Sequence, residues 1–134
     1  MAQYSVDLRD ARNDAIETAL GASPLLEFFT GAAPANCAAA DSGTKIASMV
    51  LPADSMAASS AGVKAKLGTW EDPSADAAGV IGYARMKTSG GVCKVQLTVS
   101  ATGGGGEIQL TTLTVSAIGQ PVTITSFSIT AGGA

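Results

Sequence analysis

From Leu25 onward the chain is cut into short runs in which apolar and polar residues alternate. Turn-forming residues separate these runs at intervals of roughly 8 to 12 residues. A side-chain period of two fits a half-buried strand and does not fit a helix. Lys45–Leu51 places Ile46, Ser48 and Val50 on one side and Lys45, Ala47, Met49 and Leu51 on the other. Val63–Trp70 sets Lys64 and Lys66 opposite Val63, Ala65 and Leu67. Leu25–Thr30 and Val80–Lys87 are further strands, and Thr88-Ser89-Gly90-Gly91 is a tight hairpin turn into Val92–Ser100. There Cys93, Val95, Leu97 and Val99 point inward, and Lys94, Gln96 and Thr98 outward. Ile108–Leu110, Thr112–Ser116 and Val122–Thr130 complete the set. In the last run the apolar positions move from Val122 and Ile124 to Phe127 and Ile129, which predicts a β-bulge near Ser126. About eight strands in this rhythm predict a mainly β fold, an antiparallel β-sandwich of jelly-roll-like form over 25–134. An immunoglobulin-like sandwich fits less well, because Trp70 does not sit between suitably spaced cysteines.

The segment before Leu25 follows a different period. Leu8, Ala11, Ala15, Ile16, Ala19 and Leu20 recur at helical spacing, while Arg9, Arg12, Asn13, Asp14 and Glu17 lie mostly off that stripe. Ser5 is a capping residue, Asp7 and Asp10 suit the positive end of the helix dipole, and Gly21 and Pro24 stop the helix. One N-terminal amphipathic helix over 5–21 is predicted, with a stripe of mostly small residues suited to docking on a sheet or a partner. The 134 residues make a single domain.

Composition narrows the function. Ala, Gly, Ser and Thr supply half of the chain, and there is no His. His-based triads, dyads and metal sites are therefore excluded. A net charge of −3 gives no basic footprint for nucleic acid. No stretch approaches the roughly 18 apolar residues of a membrane helix. The first residues lack a basic leader followed by an apolar run, so the chain is expected to be made and folded in a cytoplasm. Cys37 and Cys93 are accordingly expected to be reduced, with a disulfide as the other option. Glu71, Asp72 and Asp76 gather acids at one turn, but their spacing does not match a calcium loop, and a plain turn is expected. Gly103–Gly106 lack the Lys of a phosphate loop and read as a flexible hairpin loop. Lys64 and Lys66 read as solubilising surface. Sparse aromatics argue against a sugar-cleaving site. No catalytic, cofactor-binding or metal-ligating residue is assigned, and the chain is not expected to be an enzyme.

The charge map is more informative. From Val95 to Ala134 the only charged residue is Glu107. The outward positions are Gln96, Thr98, Gln109, Thr111, Thr123 and Thr125 instead of Lys or Glu. An exposed sandwich face usually carries charge to prevent association. The face reads either as a Thr-rich solvent face or as one covered by identical subunits or by a larger assembly, and the second is preferred, Thr being uncharged, stiff and strand-favouring. The candidate partner or self-interface residues are Leu8, Ile16, Leu20, Trp70, Thr123, Thr125, Phe127 and Ile129.

Several segments carry a resemblance. They are Ala11–Ala19, Pro34–Thr44, Gly62–Trp70, Ser74–Gly79, Thr102–Gly106, and Val122–Phe127 continuing through Thr130–Gly132. Over nearly its full length the chain resembles a family of small virion proteins of tailed bacteriophages and prophages. The resemblance implies a structural part of the particle, and among such parts a capsid cement (decoration) protein fits best. It implies placement on the capsid exterior, with the major capsid protein and further copies of the chain (a homodimer or homotrimer) as partners. A tail or fibre accessory protein with a host-binding role is the alternative. No nucleic acid, membrane or cofactor enters either reading.

Overall fold

The computed structural model describes residues 2–133. A helix, α1 (Val6–Leu20), precedes ten strands. They are β1 (Leu25–Thr30), β2 (Lys45–Val50), β3 (Val63–Ala65), β4 (Glu71–Asp72), β5 (Gly79–Lys87), β6 (Cys93–Leu97), β7 (Val99–Ala101), β8 (Ile108–Leu110), β9 (Thr114–Val115) and β10 (Val122–Thr130). The first sheet runs β2-β1-β5-β6, with β9 paired to β5, and the second runs β3-β10-β8-β7, with β4 paired to β10. One contiguous core lies between them. Leu26, Phe28, Ile46, Ala84 and Met86 of the first sheet meet Trp70, Ile108, Leu110, Ile124 and Phe127 of the second and its approaches. The fold is thus the mainly β sandwich with an N-terminal helix that the alternation predicts.

The expected elements differ in instructive ways. The run Val92–Ser100 is not one strand: the chain leaves the first sheet after Leu97 and joins the second at Val99. Val63–Trp70 forms a strand only over Val63–Ala65, with an isolated bridge from Lys66 to Met56, and Glu71–Asp72 forms a short strand where a turn is expected. The expected bulge in β10 is present, with register slipping between Ile124 and Ser126 so that Val122, Ile124 and Phe127 all face the core. Outer β2 and outer β3 each have outward backbone groups occupied by neighbouring segments. Ile46 O accepts from the Asp76 amide (2.8 Å), and the Ser48 amide donates to the Asp72 carboxylate (3.0 Å). Ala65 O accepts from the Ala57 amide (2.9 Å). Covered edges of this kind do not template pairing with another chain.

The glycine run has a specific task. All pairings are antiparallel except β7 with β8, which run parallel although only residues 102–107 connect them. Parallel neighbours normally need a dozen or more connecting residues. Here Gly103 and Gly105 take positive φ, and a Cβ on Gly104 or Gly106 would stand 2.8 Å from Ser100 atoms. The loop folds down onto β7 and is fixed by the Gly104 amide on Ala101 O (2.9 Å) and the Gly106 amide on Ser100 Oγ (3.0 Å). The expectation of a flexible hairpin loop is corrected: missing side chains are what allow the tight return. The two ends of the described chain also meet, with the Tyr4 amide donating to Gly133 O (2.6 Å) and Arg12 to Gly132 O (3.3 Å).

At Gly82, in β5, a Cβ would lie 1.9 Å from Gly31 O, whereas at Gly90 the nearest atom would be 3.8 Å away. Gly82→Ala is expected to cost roughly 1–3 kcal/mol through overpacking. Gly90→Ala should stay within about 0.5 kcal/mol of the parent. Denaturant midpoints check the pair, and equal losses at the two sites would contradict the close approach.

Candidate interaction surface

Helix α1 bridges the two sheets, lying against β3 and β6. It forms as the sequence predicts, with the Ser5 hydroxyl accepting from the Leu8 amide and Gly21 at positive φ ending it. Its orientation is rotated from the expected one, keeping only Ile16 and Leu20 of the stripe inward. Leu8, Ala11, Ala15 and Ala19 face solvent, and the buried side runs through Asn13, Ile16, Glu17 and Leu20. The reason is Lys64. Its side chain is 1% exposed, and its Nζ donates to Asp14 (2.7 Å), pairs with Glu17 (3.0 Å) and donates to Ala57 O (2.9 Å). Asn13 donates to Gly62 O (2.8 Å) and Ser59 Oγ (3.1 Å), and Asp10 accepts from the Gly62 amide (2.8 Å) and Ser59 Oγ (2.7 Å). A buried ammonium must be paired, so the acidic side of the helix turns inward. Lys64 is therefore an anchor, not solubilising surface.

The second polar cluster lies on the outer face of the first sheet. Alternation puts Glu27 and Phe29 of β1 and Tyr83, Arg85 and Lys87 of β5 on the side away from the core. All five are nonetheless buried, because residues 31–44 form a strap across them. Arg85 donates to Asn36 O (3.0 Å), Ala39 O (2.9 Å), Asp41 (2.8 Å) and Gln96 (2.9 Å). Lys87 bridges Asp41 and Glu27, and Glu27 also pairs with Lys45 (3.1 Å). Tyr83 donates to Ser42 O (2.7 Å), and Gln96 to Pro34 O (3.0 Å), so Gln96 is not a solvent-facing position. Cys37 of the strap is bonded to Cys93 at the start of β6, which corrects the expectation of two thiols. Closing that 56-residue separation removes about 4 kcal/mol of unfolded-chain entropy in the loop-closure account.

Burial raises the Glu27 and Asp41 carboxyls, but the hydrogen bonds and charge of Lys87 outweigh it and hold both below the ordinary carboxylate range. Lys45 adds to this at Glu27, and Arg85 at Asp41. Burial lowers Lys87 and Lys64, and their carboxylate partners more than restore them, leaving both above the usual lysine value. Asp14 is held down chiefly by its hydrogen bond from Lys64. Burial pushes Glu107 up, and its two hydrogen bonds from Thr98 bring it below the ordinary value.

The outer face of the second sheet is the open one. Thr123, Thr125, Ser126, Ser128 and Thr130 of β10 are exposed, flanked by Val63 and Ala65 of β3. Thr125 Oγ donates to Gln109 O (3.0 Å) and meets Thr102 Oγ (3.0 Å), which stiffens the row. Of the eight candidate interface residues, this face brings together only Thr123 and Thr125. Leu8 is exposed on the helix, and Ile16 and Ile129 are half-buried against the core. Leu20, Trp70 and Phe127 are core residues, and Trp70 packs on Phe127 with ring centres 4.8 Å apart. They are withdrawn as interface anchors. Asp72 is likewise spent on backbone, accepting from the Ser48 and Ser74 amides. Among the described residues no three acidic or sulfur groups converge as metal ligands, and no helix is long and apolar enough to cross a membrane.

No protein-family model, no curated protein and no solved structure matches the chain.

Two outcomes follow from the polar anchors. Asn13→Ala removes the two hydrogen bonds that tie the helix to Gly62 O, which keeps the Ala131 amide, and to Ser59 Oγ, and is expected to cost about 1–2 kcal/mol. Ala15→Ser, on the exposed stripe, should stay within about 0.5 kcal/mol. If Ala15→Ser proves the more damaging, the helix docks the other way round. The depressed carboxyls contribute stability that is present above about pH 4 and lost as pH falls through their folded values. The raised lysines contribute stability that is full below about pH 10 and lost as pH rises through theirs. The denaturation midpoint should therefore be flat between about pH 5 and pH 10 and fall on both sides. A maximum confined to one end of that window would refute the assignment.

Proposed function

We propose that the chain is a structural virion protein of a tailed bacteriophage that binds the outer surface of the capsid and bridges capsomers as a cement (decoration) protein. The observation that carries this reading is the open face of the second sheet, a row of hydroxyl and small side chains with no Lys, Arg, Asp or Glu along β10. Such a face loses little on desolvation when its hydroxyls find partners, and it offers no charge to repel a second copy. The segments that resemble small virion proteins give the reading its place. The β-sandwich gives it an architecture, jelly-roll-like in this proposal. A cross-linked strap suits a protein that works in an oxidising exterior.

In this mechanism the second-sheet face forms the contact between copies, as a homodimer or homotrimer with closed symmetry. Another surface of the assembly meets the major capsid protein. Each contact is modest, and linking several in one oligomer multiplies their effect. No catalytic step is involved.

The test is occupancy on the particle. Cryo-electron microscopy should show the protein at capsid symmetry positions, in copy numbers that scale with the capsomers. Introducing like charges by Thr123→Lys with Ser128→Lys should leave the chain folded, turn the oligomer into a monomer in mass photometry, and reduce occupancy at least about tenfold, the equivalent of 1.4 kcal/mol. Density confined to the tail would move the protein to the tail or fibre accessory role, and absence from the particle would end the virion reading.

A further inference from the structure

The strap over the first sheet is attached in two different ways. One attachment is the covalent bond from Cys37 to Cys93. The other is a set of polar contacts from Pro34 O, Asn36 O, Ala39 O, Asp41 and Ser42 to Arg85, Lys87, Tyr83 and Gln96. Residues 31–44 consist of Gly, Ala, Pro, Asn, Cys, Asp, Ser and Thr, so no large apolar side chain pins the strap down. None of its residues belongs to the core between the sheets.

We propose that this strap is a redox-released cover: reduction of the Cys37–Cys93 bond frees residues 31–44 from the outer face of the first sheet while the sandwich beneath stays folded. The floor makes release tolerable. Its groups are mostly charged or polar, so water can replace the strap carbonyls on Arg85 and Lys87 as the cover lifts. The apolar exposure is confined to the stacked pair Phe29 and Tyr83, whose rings lie 5.2 Å apart. The remaining ties are weak once exposed: Asp41 is partly open to solvent even in the closed form, and solvated ion pairs contribute little. They compete with the conformational entropy of the whole strap.

The chemistry balances with a dithiol reductant. One of its thiolates attacks a sulfur of the bond to give a mixed disulfide, and its second thiol resolves that intermediate. Two electrons and two protons pass to the protein, leaving Cys37 and Cys93 as thiols and the reductant as a disulfide. A disulfide-bearing oxidant reverses the exchange. The open form differs from the closed one in charge as well as shape. With Asp41 gone, Lys45, Arg85 and Lys87 face solvent against Glu27 alone, a cationic patch on a chain of net charge −3. The cover is therefore shut in an oxidising compartment and open in a reducing one.

The test uses the full chain under native conditions, because losing the cross-link lowers the denaturation midpoint whether or not the strap lifts. Elastase, which cuts after small residues, is applied to the oxidised protein and to protein held in dithiothreitol, and the emission of the single tryptophan, Trp70, reports the core. Reduction should speed cleavage within 31–44 at least about tenfold, through local opening, with Trp70 emission unchanged. Cys37→Ser should behave like the reduced protein with and without dithiothreitol. A strap that stays as resistant after reduction overturns the proposal, since the polar ties then suffice. So does a red shift of Trp70 emission with cuts spread over the strands, which would make the bond a staple of the whole fold.

Discussion

Two attachments of this sandwich depend on buried cations. Lys64 holds the helix, and Arg85 with Lys87 holds the strap. The strap is made of small and polar residues, and the helix brings only Ile16 and Leu20 to the core. These added elements are therefore oriented by charge and hydrogen bonds, to which the strap adds the Cys37–Cys93 bond, and each polar fastening is directional. A buried ammonium or guanidinium stripped of its partners is costly, so Asp14, Glu17 and Asp41 fix which side of each element faces inward. Leu8 and the three alanines of the helix stripe are left outside as a result, while Ile16 and Leu20 turn inward.

This is also where sequence reasoning stopped short. Strand alternation located both sheets, and the shift from Ile124 to Phe127 located the bulge, because in a two-layer fold the period of two maps directly onto burial. The helix ends were legible for the same local reason, in Ser5 and Gly21. What the pattern could not show was long-range pairing. Lys64, Arg85 and Lys87 alternate with apolar residues as solvent-facing charges do. Their burial comes from segments about fifty positions away in sequence for the Lys64 and Arg85 contacts, which lie over them. A signal did exist in Glu27, a lone acid inside the apolar run Leu25–Phe29, where an unpaired carboxylate would not be tolerated. The glycine run likewise hid its role, since nothing local to Gly103–Gly106 says that the strands it joins run parallel. Of the eight candidate residues, only Thr123 and Thr125 lie together on the open face of the second sheet. Leu20, Trp70 and Phe127 went to the core, Ile16 and Ile129 pack against it, and Leu8 stays exposed.

The two faces of the sandwich end up unlike each other. The first sheet is covered by its own strap, with charges beneath it, and its outer strand β2 is sealed by Asp72 and Asp76. The second sheet is bare, uncharged along β10 and stiffened by side-chain bonds between Thr102, Thr125 and Gln109. One side is built to be complete in itself. The other is compatible with a flat partner and leaves solubility to residues elsewhere on the surface.

The meeting of Tyr4 with Gly133 has a geometric consequence. Whatever is joined to either end of this sandwich departs from the same spot on its surface. Copies strung on one chain would hang side by side from a common seam instead of stacking end to end, and cargo added at both ends would crowd a single pole while the opposite side stayed clear.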